Sequence, residues 1–186
     1  AVFLRMQGDL FRRLLLRRSA DTHGKIRLNT PVAAARYAVA LLSLRKYETV
    51  CAVSLNAKKE VVFCDTLQRG SLTEAQIYPR AVAETALLRR AHGMLLIHNH
   101  PSGDPTPSEE DAGATQAVQA ALESIGAHLF DHLVVGGSCA FSFSMHAVIG
   151  VDGNEADVLS PEEYKARRAS PAAQRDLLRV MEPYDQ

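Results

Sequence analysis

The order of apolar and polar positions along the chain predicts helices and strands in alternation. Residues 31–45 are rich in Ala and Leu and begin with Pro31 directly after Thr30, which is typical of a helix with an N-cap threonine and a proline as its first residue. Two runs of β-branched and apolar residues, 49–55 and 61–64, flank a turn at 56–59. This spacing predicts a β-hairpin.

Further along the chain, the apolar pattern changes between the helical and the strand period. The elements predicted there are a loop over 67–77, a helix over 79–91, a strand over 94–97, a helix from Ser108 to near Gly126, a strand over 128–135 and a short strand over 140–144. The helix over 79–91 returns the chain to the next strand, and a crossover of this kind predicts parallel pairing. We therefore predict the α/β class, with a mixed central β-sheet of about five or six strands flanked by helices.

Composition changes near both ends of this pattern and predicts three parts. Residues 1–29 form a basic helical extension, 30–150 the α/β domain, and 151–186 a charged, partly helical tail. Within the first part, residues 3–18 carry five arginines and one acid. We expect a solvated helix that packs on the domain through its leucines, and contact with a phosphate backbone or an acidic partner is the alternative.

The overall composition narrows the function classes. The 186 residues carry 21 acidic and 21 basic side chains, so no net basic footprint indicates a nucleic-acid partner. The three cysteines are widely spaced and form no CxxC pair, which is typical of reduced core thiols. No apolar run is long enough to cross a bilayer, so we expect a cytoplasmic protein without membrane contact. The oligomeric state stays open.

The residues that carry chemistry lie around the end of the strand predicted at 94–97. His98 and His100 are two residues apart, and strand side chains repeat with period two, so both rings point to one side. Asp111 lies in the first turn of the following helix and on its apolar stripe, where a carboxylate needs a charged partner. The rest of that stripe is Ala114, Val118, Ala121, Leu122 and Ile125.

Two neutral imidazoles and one carboxylate leave a fourth position of a zinc ion open, as in catalytic zinc sites. One alternative is that Asp111 only closes a capping box with Ser108, although that position prefers the longer Glu or Gln. A second is a cupin-like site with Asp104 as the carboxylate ligand. The long helix that follows is unlike that all-β fold, and Gly-Asp-Pro is common in turns, so we interpret Asp104 as a turn residue.

Two other metalloenzyme classes share part of this pattern. Iron oxygenases use the same two-histidine, one-carboxylate ligand set, so the ligand types alone do not exclude iron. Zinc nucleobase deaminases have a similar layered architecture, but their chemistry requires His-x-Glu and a downstream CxxC, and the sequence contains neither.

A longer motif joins these residues. His-x-His, seven residues and Ser-x-x-Asp follow one another from His98 to Asp111, which resembles the JAMM (MPN+) metalloprotease motif. The fuller run HNHPSGDPTPS resembles the bacterial RadC family of JAB-type domains, and the likeness extends to Tyr78-Pro79-Arg80 and Asp131-His132, covering roughly residues 30–145. The resemblance implies the JAB/MPN architecture, similar to that of cytidine deaminases, and Zn²⁺ as the metal.

The same resemblance implies a catalytic glutamate. JAMM enzymes place one at a helix-to-strand junction upstream of the histidines, where it holds the water at the zinc ion, and Glu48 occupies that position here. A carboxylate there acts as general acid and base. Glu60, at a turn exit, and Glu74, in a loop, are the competing candidates, and we expect both to be solvated.

Two further sites have two interpretations each. Ser108 is predicted to be the N-cap of its helix, and the resemblance implies that it also donates to the oxyanion formed on the attacked carbonyl. The Asp131-His132 pair either contacts the metal ligands from behind or forms a structural hydrogen-bonded pair.

These residues together predict a zinc-dependent hydrolase that cleaves peptide or isopeptide bonds of a peptide or protein substrate with zinc-activated water. The alternative is a RadC-type accessory protein of DNA repair or recombination that binds metal and has little or no peptidase activity. We find no Gly-rich signature of the helix-hairpin-helix region that RadC proteins carry ahead of this domain. Nucleic-acid binding is therefore only weakly supported.

Overall fold

The structure, a computed structural model, describes residues 25–70, 76–151 and 156–170. The basic segment at 3–18, the candidate base Glu74 and the tail beyond residue 170 lie outside the described residues. The described elements are, in chain order, α1 (Pro31–Leu42), β1 (Thr49–Leu55), β2 (Val61–Arg69), α2 (Pro79–Arg89), β3 (Gly93–Asn99), α3 (Glu109–Glu123), β4 (His128–Gly136), β5 (Cys139–Ser142), β6 (Ala147–Gly150), β7 (Asp157–Leu159) and α4 (Pro161–Ala169).

All of the described strands belong to one mixed sheet of seven strands in the order β2-β1-β3-β4-β5-β6-β7. The pairing of β3 with β4 is parallel, and the other neighbours are antiparallel. The predicted α/β class with a mixed sheet is confirmed. The parallel pair is joined by α3, since parallel neighbours need a crossover connection.

The predicted parallel pairing across α2 is wrong. This helix joins β2 to β3, but β1 lies between those two strands and pairs with both in the antiparallel sense. The two strands therefore run in the same direction without sharing hydrogen bonds. A crossover helix determines the direction in which the next strand runs. The strand with which that next strand pairs depends on which edge of the sheet is free.

Helices cover both faces of the sheet, so its central strands are buried on both sides. On one face α1 packs over a cluster that includes Val39, Val53 and Ile97. On the other face α2 and α3 pack over a cluster that includes Ala52, Leu96 and Val118. Because side chains alternate along a strand, the even-numbered residues of β3 face α3.

Several element ends differ from the prediction. Helix α1 ends at Leu42 instead of residue 45, and its N-cap is Thr30, whose Oγ1 accepts the N–H of Ala33 at 3.1 Å. Strand β2 continues to Arg69, through the start of the predicted loop. It is an edge strand in which many side chains are exposed, so its residues do not form a continuous apolar run. Its pairing with β1 stabilises the extended backbone instead.

The last two strands were not predicted. Strands β6 and β7 contain four and three residues, which is too short for a period-two pattern to stand out. Their pairing with β5 and with each other extends the sheet beyond the predicted number of strands. Among the described helices, none has the length and apolar character that a membrane span requires.

Candidate metal centre

The two histidines lie at the carboxyl end of β3, the strand between β1 and β4. Their period-two spacing turns both rings toward α3, and their Nε2 atoms are 3.1 Å apart. The side chain of His98 is fully buried, and that of His100 is 21% exposed. One ring is therefore enclosed by protein, while the other borders solvent.

The first turn of α3 brings a carboxylate against both rings. Oδ1 of Asp111 lies 3.1 Å from Nε2 of His98, and Oδ2 lies 3.5 Å from Nε2 of His100. The same residue closes a capping box, because its Oδ2 accepts the N–H of Ser108 at 2.8 Å. One conformation of Asp111 thus closes the capping box and also leaves its carboxylate against both rings, as the predicted ligand role requires.

The spacing of these side-chain atoms suits a metal ion. Ligands about 2 Å from a tetrahedral zinc ion are about 3.3 Å from one another. Nε2 of His98 lies 3.1 Å from Nε2 of His100 and 3.1 Å from Oδ1 of Asp111, and Nε2 of His100 lies 3.5 Å from Oδ2 of Asp111. The two ring nitrogens and the carboxylate oxygens that face them thus lie at separations close to those that a small divalent cation imposes on its ligands.

Hydrogen bonding also prepares His100 as a ligand. Its Nδ1 lies 2.9 Å from the carbonyl oxygen of Asp104, and a carbonyl can only accept, so Nδ1 carries the proton. In a neutral ring Nε2 would then offer its lone pair to a metal ion. Any proton that Nε2 donates to Asp111 must be lost before a metal binds there.

The loop residue Asp104 serves the site through its backbone. Its carboxylate accepts the N–H of Thr106 at 3.0 Å and pairs with Arg168 of α4 at 3.0 Å, as expected of a turn residue. This loop lies directly against β4, since a Cβ at Gly136 would be 2.4 Å from the nitrogen of Pro105. Glycine at that position lets the loop approach closely enough to hold His100.

The candidate base Glu48 reaches the site through strand pairing. Val50 of β1 is opposite His98 of β3 in an antiparallel register, and continuing that register by two residues puts Glu48 opposite His100. A carboxylate oxygen of Glu48 and one ring nitrogen of each histidine lie within 4.8 Å of one another. Glu48 is 9% exposed, so it is not the solvated strand-start charge that was the alternative.

Asn99 holds the backbone on both sides of Glu48. Its Oδ1 accepts the N–H of Thr49 at 3.0 Å, and its Nδ2 donates to the carbonyl of Tyr47 at 3.3 Å. Because side chains alternate, Asn99 points to the face of β3 opposite its two histidine neighbours. In the His-Asn-His run, the two histidines therefore turn their rings toward α3, and the asparagine between them holds the backbone on both sides of Glu48.

The expectation that Glu60 is solvated is wrong. Its side chain is 8% exposed and lies 3.0 Å from Arg27 and 3.5 Å from Lys25. Hydrogen bonds from Asn56 and Arg27 lower the pKa of Glu60 to about 2. This carboxylate is a buried structural anion that ties the segment before α1 to the start of β2.

Ser108 is exposed at the start of α3, and its Oγ accepts the N–H of Asp111 at 3.0 Å. A hydroxyl has one proton and two acceptor lone pairs. Capping uses a lone pair and leaves the proton available to donate. The N-cap role is confirmed by this contact, and the predicted oxyanion role is compatible with it.

In the Asp131-His132 pair, in the middle of β4, each residue fits a different one of the two interpretations considered for the pair. Asp131 accepts the hydroxyl of Ser142 at 2.6 Å and the N–H of Ser144 at 2.9 Å, so it holds the turn after β5. His132, in contrast, has its Nε2 2.8 Å from Nδ1 of His98. Only the histidine of this pair contacts a predicted metal ligand.

The carboxylate of Asp111 and the histidine rings around it change one another's pKa values. Burial alone would raise the pKa of Asp111, but the imidazoles of His100 and His98 outweigh it and hold the pKa well below its ordinary value. Burial lowers the pKa of His100, but Asp111 and the Asp104 carbonyl outweigh it and raise the pKa. Burial lowers the pKa of His132 well below its ordinary value. Asp111 is therefore an anion, which attracts a cation to the site.

Sequence reasoning missed Thr115 as well as Asn99. Thr115 is one turn beyond Asp111, and its Oγ1 lies 2.6 Å from Nδ1 of His132. The i, i+4 spacing from Asp111 was the available signal. The structure thus brings together His98, His100, Asp111 and Glu48, with Ser108 capping the same helix, and their roles as ligands, base and oxyanion donor stay predictions.

Comparison with known proteins identifies the family. The family model of the RadC-like JAB domain matches residues 28–148. The chain is 40% identical to a UPF0758 protein of Janthinobacterium sp. (strain Marseille) over 65% of its own length and 54% of the relative's. It is also 40% identical to a UPF0758 protein of Herminiimonas arsenicoxydans, over 70% and 59% of the two chains.

A UPF0758 protein of Symbiobacterium thermophilum is similar at 40% identity over 65% of this chain and 52% of its own. The chain thus spans a little over half the length of these curated relatives. The match to the family model covers most of the chain and includes every residue of the candidate metal centre. The chain therefore belongs to the RadC family of JAB-type domains.

Proposed function

We propose that this domain is a zinc-dependent hydrolase that cleaves peptide or isopeptide bonds in a peptide or protein substrate. The observation that carries the proposal is the set of ligand separations of 3.1, 3.1 and 3.5 Å among two imidazoles and one carboxylate. Glu48 beside them supplies the additional acidic group that hydrolysis by activated water requires.

The residues of the candidate site have separate proposed roles: metal ligand, general base and donor to the attacked carbonyl. His98, His100 and Asp111 would hold the ion, which when bound lowers the pKa of a water and polarises the scissile carbonyl. Glu48, directly before the neighbouring strand β1, takes a proton from the water and returns it to the leaving amine. Ser108 donates its free hydroxyl proton to the oxygen of the attacked carbonyl.

The partial burial of the site supports this division. His98 is enclosed, whereas His100 remains 21% exposed, so substrate approaches from the His100 side. The separation between Glu48 and the histidine nitrogens, within 4.8 Å, leaves the carboxylate close enough to hydrogen-bond a water between them. The accessory role in DNA repair rests on the basic segment 3–18, outside the described residues, and stays a prediction.

The test combines metal analysis with a cleavage screen. The purified chain is stripped with chelator, reloaded with zinc, analysed for bound metal, and screened against peptide and isopeptide substrates. We expect one zinc per chain and metal-dependent turnover. We expect Glu48→Gln to keep the zinc and to slow turnover by about 10²-fold or more, because the general base is lost.

Glu84→Gln is the matched control, since it makes the same change at an exposed glutamate that pairs with Arg80 on α2. This variant is expected to keep full turnover. A Glu48→Gln protein that turns over like the wild type would transfer the base role to another residue. A wild-type chain that binds no zinc would overturn the proposal.

A further inference from the structure

Helix α4 contacts the loop that holds His100. Nη1 of Arg168, in the last turn of α4, lies 3.0 Å from Oδ2 of Asp104. The carbonyl oxygen of the same Asp104 lies 2.9 Å from Nδ1 of His100. Asp104 thus contacts the helix with its carboxylate and the ring of a predicted ligand with its backbone. Helix α4 lies outside residues 28–148, the region that the family model matches, so family membership does not imply this contact.

One stripe of α4 faces the domain. Pro161, Tyr164 and Arg168 are partly buried, whereas residues 165–167 are exposed. Steps of three and four residues put these three side chains on one side of a helix. Tyr164 packs against a buried cluster on β4, β5 and β6, formed by Val134, Phe141 and Val148. The helix is therefore held on the sheet by Tyr164, one turn before Arg168.

The position of Arg168 follows from the way α4 begins. Strand β7 ends at Leu159 and pairs with β6, and the helix starts directly after it. A capping box closes that start, because the Oγ of Ser160 accepts the N–H of Glu163 at 3.2 Å and Glu163 accepts the N–H of Ser160 at 2.8 Å. Nη1 of Arg168 also lies 3.5 Å from the hydroxyl oxygen of Tyr164. The guanidinium therefore contacts both the loop and the residue that holds the helix on the sheet.

The loop contacted by Arg168 is a hydrogen-bonded turn. The N–H of Gly103 donates to the carbonyl of His100 at 3.0 Å, and Oδ1 of Asp104 accepts the N–H of Thr106 at 3.0 Å. These bonds lie within the turn. The ion pair with Arg168 uses the other oxygen, Oδ2, and connects the turn to a separate element.

We propose that Arg168 is a positioning residue of the metal centre, and that it acts through the carboxylate of Asp104 to fix the loop that orients the ring of His100. This inference rests on the metal centre of the proposed function and does not depend on which bond is hydrolysed. A hydrogen bond to the second nitrogen of a metal-binding histidine fixes the orientation of the ring. His100 is 21% exposed, whereas His98 is fully buried, so its ring depends more on this loop for its orientation.

The first measurement is the rate at which the zinc-loaded 186-residue chain loses Zn²⁺ to an excess of a chromophoric chelator. Arg168→Met removes the charge and keeps an apolar stem. We expect it to lose zinc about 2- to 5-fold faster than the wild type, an effect limited by the 40% and 43% exposure of the two paired side chains. Arg167→Met is the matched control, because this neighbour on the same helix pairs with Asp157 instead, at 2.7 Å. We expect the control to lose zinc at the wild-type rate.

A double variant tests whether the effect passes through Asp104. Asp104→Asn keeps an oxygen that can accept the N–H of Thr106 but loses the charge that pairs with Arg168. We therefore expect Asp104→Asn combined with Arg168→Met to lose zinc no faster than Asp104→Asn alone. Arg168→Lys keeps a cation, and we expect it to lose zinc more slowly than Arg168→Met. General loosening of α4 would instead give effects that add.

The second measurement is amide hydrogen exchange in the metal-free chain, which reports on the loop itself. We expect Arg168→Met to speed exchange at the N–H groups of Gly103 and Thr106 by about 2- to 5-fold, and to leave the buried strand β1 unchanged. Arg167→Met is expected to match the wild type at both. Circular dichroism checks that each variant is folded.

Three results would overturn the inference. They are zinc loss from Arg168→Met at the wild-type rate, equal acceleration in Arg167→Met, and additive effects of Arg168→Met and Asp104→Asn. A wild-type chain that binds no zinc would instead overturn the proposed function. In that case, exchange at Gly103 and Thr106 would still decide whether Arg168 holds the loop, and unchanged exchange in Arg168→Met would contradict it.

Discussion

At the scale of single residues, Asp111 is in position for both of the roles that sequence reasoning set against each other, since it closes a capping box and lies against two imidazoles. A carboxylate has two oxygens with about four lone pairs, so capping the helix leaves acceptor capacity for a metal. Here Oδ2 accepts the N–H of Ser108, while Oδ1 lies 3.1 Å from His98. The short side chain of aspartate keeps both oxygens close to the first turn and to the rings.

The two roles of Asp111 can be separated by substitution. Asp111→Asn retains an oxygen that can accept from Ser108 but removes the charge, so we expect loss of metal binding with little loss of stability in the presence of chelator. Asp111→Ala removes both, so we expect an additional loss of about 1 kcal/mol in the free energy of unfolding. Metal analysis and thermal unfolding with EDTA measure the two effects. An Asn variant that binds zinc as tightly as the wild type would contradict the ligand role.

At the scale of elements, the start of α3 is the part of the fold on which the site depends. The capping box of Ser108 and Asp111, together with the two other acidic residues of the first turn, Glu109 and Glu110, complements the positive end of the helix dipole. Helix α4 begins with the same device, a capping box of Ser160 and Glu163. The described part of the chain therefore has a capping box at the candidate metal centre, at the start of α3, and another away from it in sequence, at the start of α4.

This pair of caps allows capping to be separated from catalysis. Ser108→Ala and Ser160→Ala each remove a side-chain acceptor from a helix N-terminus, so each is expected to lower stability by about 0.5–2 kcal/mol where its helix unfolds with the domain. Only Ser108→Ala is expected to slow hydrolysis, by about 10²-fold, because it also removes the donor to the oxyanion. Denaturant unfolding and steady-state rates with saturating zinc measure both. Equal rates in the two variants would limit Ser108 to capping.

At the scale of the whole molecule, the site lies where the antiparallel and parallel parts of the sheet meet. Strand β3 pairs antiparallel with β1, which brings Glu48, and parallel with β4, which brings His132. A second ionic centre lies at the outer edge of the sheet, where Glu60 connects Lys25 and Arg27 to the start of β2. That contact joins the segment before α1 to the sheet.

The anchor at Glu60 predicts a pH dependence of stability. Its pKa is about 2 in the folded chain, below its ordinary value, so the carboxylate stabilises the fold above the ordinary pKa. This contribution is lost as the pH falls from about 5 toward 2. Glu60→Gln should therefore flatten the dependence of the melting temperature on pH in this window. Glu84→Gln, on an exposed pair, is the control, and equal slopes in wild type and Glu60→Gln would contradict the prediction.

Much of the fold and part of the site followed from local patterns. Helix α3, strand β3 and the shared side of His98 and His100 depend on periods of a few residues, which the order of apolar positions records directly. The start of α3 at Ser108 follows from N-cap chemistry of the same short range. The prediction of an α/β domain with a mixed sheet was confirmed for the same reason.

The sequence by itself thus determined the elements, the orientation of the His-x-His pair and the position of Asp111 in its helix. Apart from the predicted hairpin of β1 and β2, only the tertiary structure decided which strands are neighbours. With that it decided the position of Glu48 beside His100, the contact of His132 with His98, and the burial of Glu60. These outcomes depend on pairing between segments tens of residues apart. That pairing is decided by the combined packing of both faces of the sheet, and no local pattern records it.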